Sequence, residues 1–149
     1  MITFFVPGTP VAKGSARAFF RKGMKHPVVV QDNAERQRPW ASLISLKAEE
    51  AGLRPVAGGV TLTLRFQMPR PKAHFRADGT VKPTFTILRH TKKPDLDKLV
   101  RLVKDALKGI GYSDDSEVFH VDAEKFYGPN PGVSIAIEPA QERKEAVVS

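Results

Sequence analysis

The chain has no cysteine, which excludes a disulfide frame and every thiolate metal site. It has no apolar run near the roughly 18 to 20 residues that span a bilayer. The short apolar start, Met1 to Val6, has no basic stretch before it and so does not read as a signal peptide. No Walker-type loop, no Ser-His-Asp order and no dinucleotide fingerprint is present, so nucleotide-driven and acyl-transfer chemistry have no support. The histidines, His26, His74, His90 and His120, show no metal-ligand spacing. Acids are also scarce: 16 Asp and Glu stand against 24 Lys and Arg, a formal charge of +8. A domain this basic attracts polyanions, of which nucleic acid is the commonest inside a cell. The expectation is a cytoplasmic, nucleic-acid-directed protein. With 149 residues, 41% of them hydrophobic, there is enough chain for one domain with one sizeable core.

The pattern along the chain predicts an α+β domain, a mixed sheet with two main helices packed on it, over residues 1–138, followed by a polar tail at 139–149. Ile2 to Val6 reads as a strand closed by the turn Pro7-Gly8-Thr9-Pro10, and a basic loop, Lys13 to Arg17, follows. Ala18 to Arg21 and Pro27 to Gln31 flank Lys22-Gly23 as a hairpin. Asp32-Asn33 offers caps for a helical segment ending at Gly52. Because Pro39 belongs in a first turn, the regular helix is expected to begin near Arg38, with Trp40, Ile44, Ala48 and Ala51 on its apolar face. Val60 to Met68 alternates as a half-buried strand, Val60, Leu62, Leu64 and Phe66 facing one way.

From Pro69 to Lys93 the periodicity is lost, and Arg70, Lys72, Arg76, Lys82, Arg89, Lys92 and Lys93 face only Asp78. This stretch reads either as a solvated loop or as an arm over a phosphate backbone, with Phe75, Phe85 or His74 near bases. A helix is predicted over Asp95 to Lys108, with Leu96, Leu99, Val100, Val103, Leu107 and Ile110 as its apolar stripe. Val118 to Tyr127 and Val133 to Ile137 follow as strands separated by the turn Gly128 to Gly132. On the first, His120 and Asp122 are expected to face solvent while Phe119, Val121 and Ala123 pack inward. Lys125 shares the inward face, where it snorkels or reaches DNA.

The informative stretch is Lys93-Pro94-Asp95-Leu96-Asp97, then the helix, then Tyr112-Ser113-Asp114-Asp115-Ser116. Each acid has a structural reading: Asp95 as an N-cap, Asp97 as a first-turn carboxylate or a partner for Arg101 at i+4, Asp114 and Asp115 as turn residues. Their combination has a chemical one. Within a helix, residues two apart point about 200° away from each other, whereas a capping segment can aim both at one point. The helix then returns the chain to a second acidic pair. Hard cations such as Mg²⁺ take oxygen ligands and keep several waters, so two to four carboxylates suffice. Acids clustered in a basic protein suit a metal-dependent phosphodiesterase, in which the basic surface holds the polyanion and the acids hold the metal. A non-catalytic nucleic-acid-binding protein, or a small protein-interaction domain, is also consistent with the residues taken singly.

This block, with Asp105-Ala106-Leu107, Gly111 and Asp114-Asp115-Ser116-Glu117-Val118, resembles the signature of RusA-type Holliday-junction resolvases. The opening Pro7-Gly8-Thr9-Pro10-Val11-Ala12-Lys13 and the placement of the Trp40 helix are similar as well, and the resemblance runs over roughly residues 2 to 138. It implies a homodimeric, Mg²⁺-dependent endonuclease, with Mn²⁺ able to stand in, that cuts four-way DNA junctions or other branched DNA by paired nicks in recombination and repair. Asp95, Asp97 and Asp115 match that family's essential carboxylates as metal ligands, with Asp114 beside them. Where the family usually has Asn this chain has Lys98, and where it usually has lysine this chain has Arg101; Arg101, or Lys98 in its place, is assigned the phosphate-stabilising role. Ser15 and Ala16 stand in place of Arg-Pro, leaving Lys13 and Arg17 as the cations of the first loop. Lys13, Arg17, Lys92, Lys93, Lys98 and Lys125 are the expected DNA contacts.

Overall fold

The computed structural model describes residues 1–14, 16–19, 22–23, 25–31, 34–141 and 144–146, with no side chains described for 16–19, 28–31 and 34. Its centre is a four-stranded sheet in the order β1-β6-β4-β5, built from β1 (Ile2–Pro7), β4 (Val60–Met68), β5 (Val118–Tyr127) and β6 (Gly132–Pro139). β6 runs antiparallel to both β1 and β4, while β4 and β5 are parallel. A separate antiparallel pair, β2 (Ala16–Phe19) and β3 (Val28–Gln31), precedes α1 (Ala34–Glu50). The predicted hairpin is therefore present, with its first strand set two residues earlier. The α+β architecture expected from the pattern is the one observed.

β4 is the spine of the core. Val60, Leu62, Leu64, Phe66 and Met68 are buried on one face, while Thr61, Thr63, Arg65 and Gln67 are half-exposed on the other. Each fully buried side chain of this size contributes about 1.5–3 kcal/mol, so the alternation by itself fixes which face α1 and α2 (Leu96–Leu107) cover. Val6, Val133, Ile135 and Ile137 continue that face, and Trp40, Ile44 and Ala48 of α1 close over it with Leu99, Leu102, Val103, Ala106 and Leu107 of α2. Ser45 Oγ donates to the Ala106 carbonyl at 2.9 Å, joining the two helices.

Parallel neighbours cannot be joined by a hairpin, so the chain between β4 and β5 must cross over; α2 is that crossover helix. This topology sets α2 alongside β5 at the edge of the sheet. β5 and β6, in contrast, are not neighbours: the turn between them passes over the end of β4. There Gln67 Oε1 accepts from the Asn130 N–H at 2.7 Å, and a Cβ on Gly128 would lie 2.2 Å from Gln67, which is why glycine stands there.

Two expectations are corrected. α1 does not wait for Pro39 but starts at Ala34, carrying Pro39 inside it. The missing N–H costs one bond to the Glu35 carbonyl, and the burial of Trp40 and Ile44 just beyond offsets it. The caps expected at Asp32 and Asn33 lie outside the described residues. Phe119 and Val121 do not pack inward; they are 59% and 36% exposed. The cause is the position of β5 at the edge of the sheet, where its neighbour in the sheet is β4 and the first half of β5 itself is left open on both faces.

The stretch 69–93 is neither a bare loop nor a free arm. It holds two single-turn helices, Lys72–His74 and Pro83–Phe85, and a bridged turn pairing Phe75 with Val81. Its end is tied to β5, where Arg89 bridges Phe126 and the Tyr127 N–H donates to the Leu88 carbonyl at 2.7 Å. His74 and Phe85 stack on each other with centroids 4.3 Å apart, and His74 also meets the edge of Tyr127. Those two rings are thus packed against protein, while Phe75 is 38% exposed. Among the described residues no helix is long and apolar enough to cross a membrane.

Candidate active site

Two recesses flank the start of α2. The first, a groove of about 590 Å³ between α2 and β5, has Leu96, Val100, Val121 and Ala123 as apolar lining, with Asp97, Arg101, Lys104, Asp105 and Asp115 around it. Asp97, Arg101 and Asp105 follow one another at four-residue spacing, which places them on one stripe of the helix. Asp115 enters from the short turn before β5. The second recess, about 630 Å³, lies between α2, the loop Thr9–Gly14 and the segment approaching α2, and is strongly basic: Lys13, Arg36, Arg70, Lys92, Lys93 and Lys98 all line it.

The acidic cluster is thereby divided. Asp95 is the N-cap of α2 with extended backbone (φ −68°, ψ 141°), yet its carboxylate makes no capping hydrogen bond. It lines the basic cleft, while Asp97, one step into the helix, lines the acidic groove. Asp114 caps the turn that follows: its Oδ1 accepts from the Ser116 N–H at 3.2 Å, and Glu117 Oε1 reciprocates by accepting the Ser113 and Asp114 N–H groups at 3.0 Å. Of the acidic pair only Asp115 faces the groove. Its Oδ1 is buried with no hydrogen-bond partner among the described residues. A buried carboxylate oxygen left unpaired is costly, and a bound cation is one means of satisfying it.

Tyr112, which the sequence reading passed over, holds this turn in place. Its ring is fully buried and its hydroxyl donates to the Lys104 carbonyl at 2.6 Å, while its own carbonyl accepts from Gly109 at 2.7 Å. Burial, and then the charges of Asp115 and Asp105, hold the phenol well above its usual pKa, so it stays a neutral donor. Gly111 allows the turn to close, since a Cβ there would come within 2.8 Å of both Leu53 and Ile137. Asp105 was visible in the sequence only as part of a family motif, although its i+8 spacing from Asp97 was a signal for a shared face.

Among the expected DNA contacts, Lys13 sits in the basic cleft, with its N–H donating to the Lys98 carbonyl and its Nζ 3.2 Å from Asp105. Lys92 and Lys93 are exposed there and Lys98 is half-buried. The side chain of Arg17 lies outside the described residues. Lys125 Nζ donates to the Lys92 and Pro94 carbonyls. Burial pushes its pKa down, and nearby Asp95 partly opposes that. His90 is buried in the cleft beside Tyr127, and burial followed by the charge of Lys125 lowers its pKa. Arg70 also enters the cleft without having been singled out: it donates to the Phe85 carbonyl and lies 5.1 Å over the Tyr127 ring. Asp122 and Glu124 pair with Arg65 at 3.0 and 3.2 Å on the open face, away from both recesses.

Among the described residues no three His, Asp or Glu side chains stand close enough together to hold a metal ion by themselves. The groove does offer an all-oxygen donor set from two directions, Asp97 and Asp115. That chemistry suits Mg²⁺, which usually takes one or two carboxylates and completes its shell with water and substrate phosphate oxygens.

The protein is 34% identical over 140 residues, 91% of this chain and 94% of the relative, to the uncharacterised protein YqaN of Bacillus subtilis (strain 168). Residues 7–138 match the family described as endodeoxyribonuclease RusA, a span holding both recesses, and the chain therefore belongs to the RusA endodeoxyribonuclease family.

Proposed function

We propose that this protein is a Mg²⁺-dependent endonuclease that resolves four-way DNA junctions by paired nicks, acting as a homodimer. The observation that carries the proposal is the groove between α2 and β5, where Asp97 and the unpaired Asp115 carboxylate oxygen meet Arg101, set beside a cleft of six cations. Family membership supports DNA cleavage as the chemistry. A junction with near two-fold symmetry is matched by two sites related by a two-fold axis, which supports a dimer.

The division of labour follows from the side chains. The cations of the cleft bind the phosphate backbone and set the register of the DNA, without reading its sequence. Asp97 and Asp115 would hold the metal, and Asp95, exposed at the head of the same helix, contributes from the adjoining cleft. When bound, Mg²⁺ supplies an activated water and neutralises charge on the phosphate. Arg101, exposed on the groove stripe, donates charge-assisted hydrogen bonds to the non-bridging oxygens as negative charge develops there. Tyr112 keeps the Asp115 turn fixed, so the carboxylate need not reorganise during the reaction.

The test is incubation with an end-labelled four-way junction, with and without Mg²⁺, and mapping of every nick. Symmetric nicks in opposing strands that require Mg²⁺ are expected. Cleavage confined to flaps or forks would move the substrate class, and binding without any cleavage would replace the enzyme with a DNA-binding protein.

A further inference from the structure

Lys125 is out of pattern. In the β4–β5 register it stands opposite Phe66, on the face that Ala123 and Tyr127 share with the core residues Leu64 and Met68 of β4. An ammonium there loses hydration and gains a compensating arrangement only if its donors are satisfied. They are satisfied by main chain: Nζ lies 2.6 Å from the carbonyl oxygen of Lys92 and 2.6 Å from that of Pro94. No carboxylate lies within ion-pair distance of it among the described residues, and Lys92 and Lys93, both cationic, are its neighbours across the contact. A surface phosphate contact needs no such placement. A brace for the backbone does.

The same part of β5 holds the same segment through its backbone. The His90 N–H faces the Lys125 carbonyl at 3.4 Å, Arg89 bridges Phe126, and Tyr127 donates to Leu88. Those ties stop at His90. Between His90 and the first turn of α2, the two bonds from Lys125 tether the segment to the sheet among the described residues, and the second is made to the residue immediately before Asp95. The Asp95 carboxylate makes no cap bond of its own, so its position depends on the backbone that carries it.

We propose that Lys125 is a positioning residue: its ammonium fixes the backbone at Lys92 and Pro94, and thereby sets Asp95 at the head of α2. This deepens the endonuclease reading and rests on it for the role of Asp95. Lys125 acts through its hold on main-chain carbonyls, and the phosphate contacts of the cleft belong to Lys92, Lys93 and the other cations there.

The experiment compares wild type with Lys125→Met, which keeps the chain length and removes the donors, and Lys125→Arg, which restores them. Amide hydrogen exchange of the metal-free protein is read first. Exchange in the first bonded turn of α2, beginning with the Leu99 N–H that donates to the Asp95 carbonyl at 3.1 Å, is expected to rise at least about tenfold in Lys125→Met and to return toward wild type in Lys125→Arg, with β4 and β6 unchanged. On the four-way junction, affinity without divalent metal and its salt slope are expected to match wild type. Single-turnover cleavage of prebound junction is expected to slow about 100-fold, as a small misplacement of a reacting group would cause, with partial recovery in Lys125→Arg.

Three results would overturn the proposal. One is unchanged exchange in that first bonded turn; another is loss of protection across the whole sheet, which would make Lys125 a general core element. The third is weakened junction binding with a salt slope reduced by about one at an unchanged cleavage rate, the mark of a phosphate contact. If wild type cuts no branched DNA, the endonuclease reading fails on its own, while the exchange measurement still decides whether Lys125 holds the segment.

Discussion

Asp115→Ala should make the metal-free protein more stable while abolishing its activity. In the native structure Asp115 Oδ1 is buried with no hydrogen-bond partner among the described residues, and the charged groups that share its groove are Asp97, Arg101, Lys104 and Asp105. An unsatisfied buried acceptor costs about 1–3 kcal/mol, and because Asp115 is half-exposed overall the lower end, about 1 kcal/mol, is the appropriate figure. Removing it should raise the melting temperature in EDTA by about 2–4 °C for a domain of this size. Magnesium should then reverse the ranking. At about 10 mM Mg²⁺ and a Kd of about 1 mM, binding adds about 1.4 kcal/mol to the wild type and nothing to a variant that has lost a ligand. Differential scanning calorimetry of both proteins in EDTA and in Mg²⁺ reads all four values. Junction cleavage by the variant should fall by at least about 10²–10³-fold, the scale of losing one electrostatic stabiliser. A variant that melts below wild type in EDTA, or that gains as much from Mg²⁺ as wild type does, would refute the reasoning.

The other expectations separate structural from chemical roles. Asp114→Ala removes the cap bond to Ser116 and should cost about 1 kcal/mol in a denaturant titration, while cleavage at saturating Mg²⁺ stays within about twofold of wild type. Arg101→Ala should slow cleavage about 100-fold with little change in junction affinity, and Arg101→Lys should restore most of the rate because the charge returns to the groove; equal rates for Ala and Lys variants would remove Arg101 from the chemistry. His90 has a lowered folded pKa, so the unfolded chain binds its proton first, near pH 6.5, as pH falls. Stability from the neutral imidazole is thus present above that pH and lost as pH falls toward the folded value. His90→Gln should flatten that part of the melting-temperature profile, and identical profiles would show that His90 is not the titrating group.

Much of the fold could be read before the structure because it rests on local periodicity. The alternation of β4 and the stripe of α2 each decide a buried face without outside help. The start of α1 was hidden because Pro39 argues locally for a late beginning, whereas the decisive contribution comes from Trp40 and Ile44 meeting the sheet. The exposure of Phe119 and Val121 was hidden for a related reason. Alternation assigns a face, but not whether a neighbouring element covers it, and β5 lies at an edge.

The candidate site was legible in composition and less so in geometry. Asp97, Asp115 and Arg101 do share a groove, but Asp95 faces the cleft beside it, because the direction of an N-cap side chain depends on one pair of backbone angles. Asp114 carried its own sign: Asp114 and Glu117 are spaced as a capping box, a pattern that reads as a helical start before it reads as a metal ligand. The role of Tyr112 had no sequence signal, and alternation put Lys125 on the inward face without showing what it would meet there. Both act through hydrogen bonds to main-chain carbonyls that only the tertiary fold brings near.

The central claim is that the carboxylates flanking α2 serve metal-dependent DNA cleavage, and Asp97→Asn tests it most directly. The substitution keeps size and shape and removes the charge facing the groove. Assayed on a labelled four-way junction, the variant should bind as wild type does without divalent metal and make no nicks when Mg²⁺ is added. Mg²⁺-dependent nicking by Asp97→Asn at the wild-type rate would contradict the account.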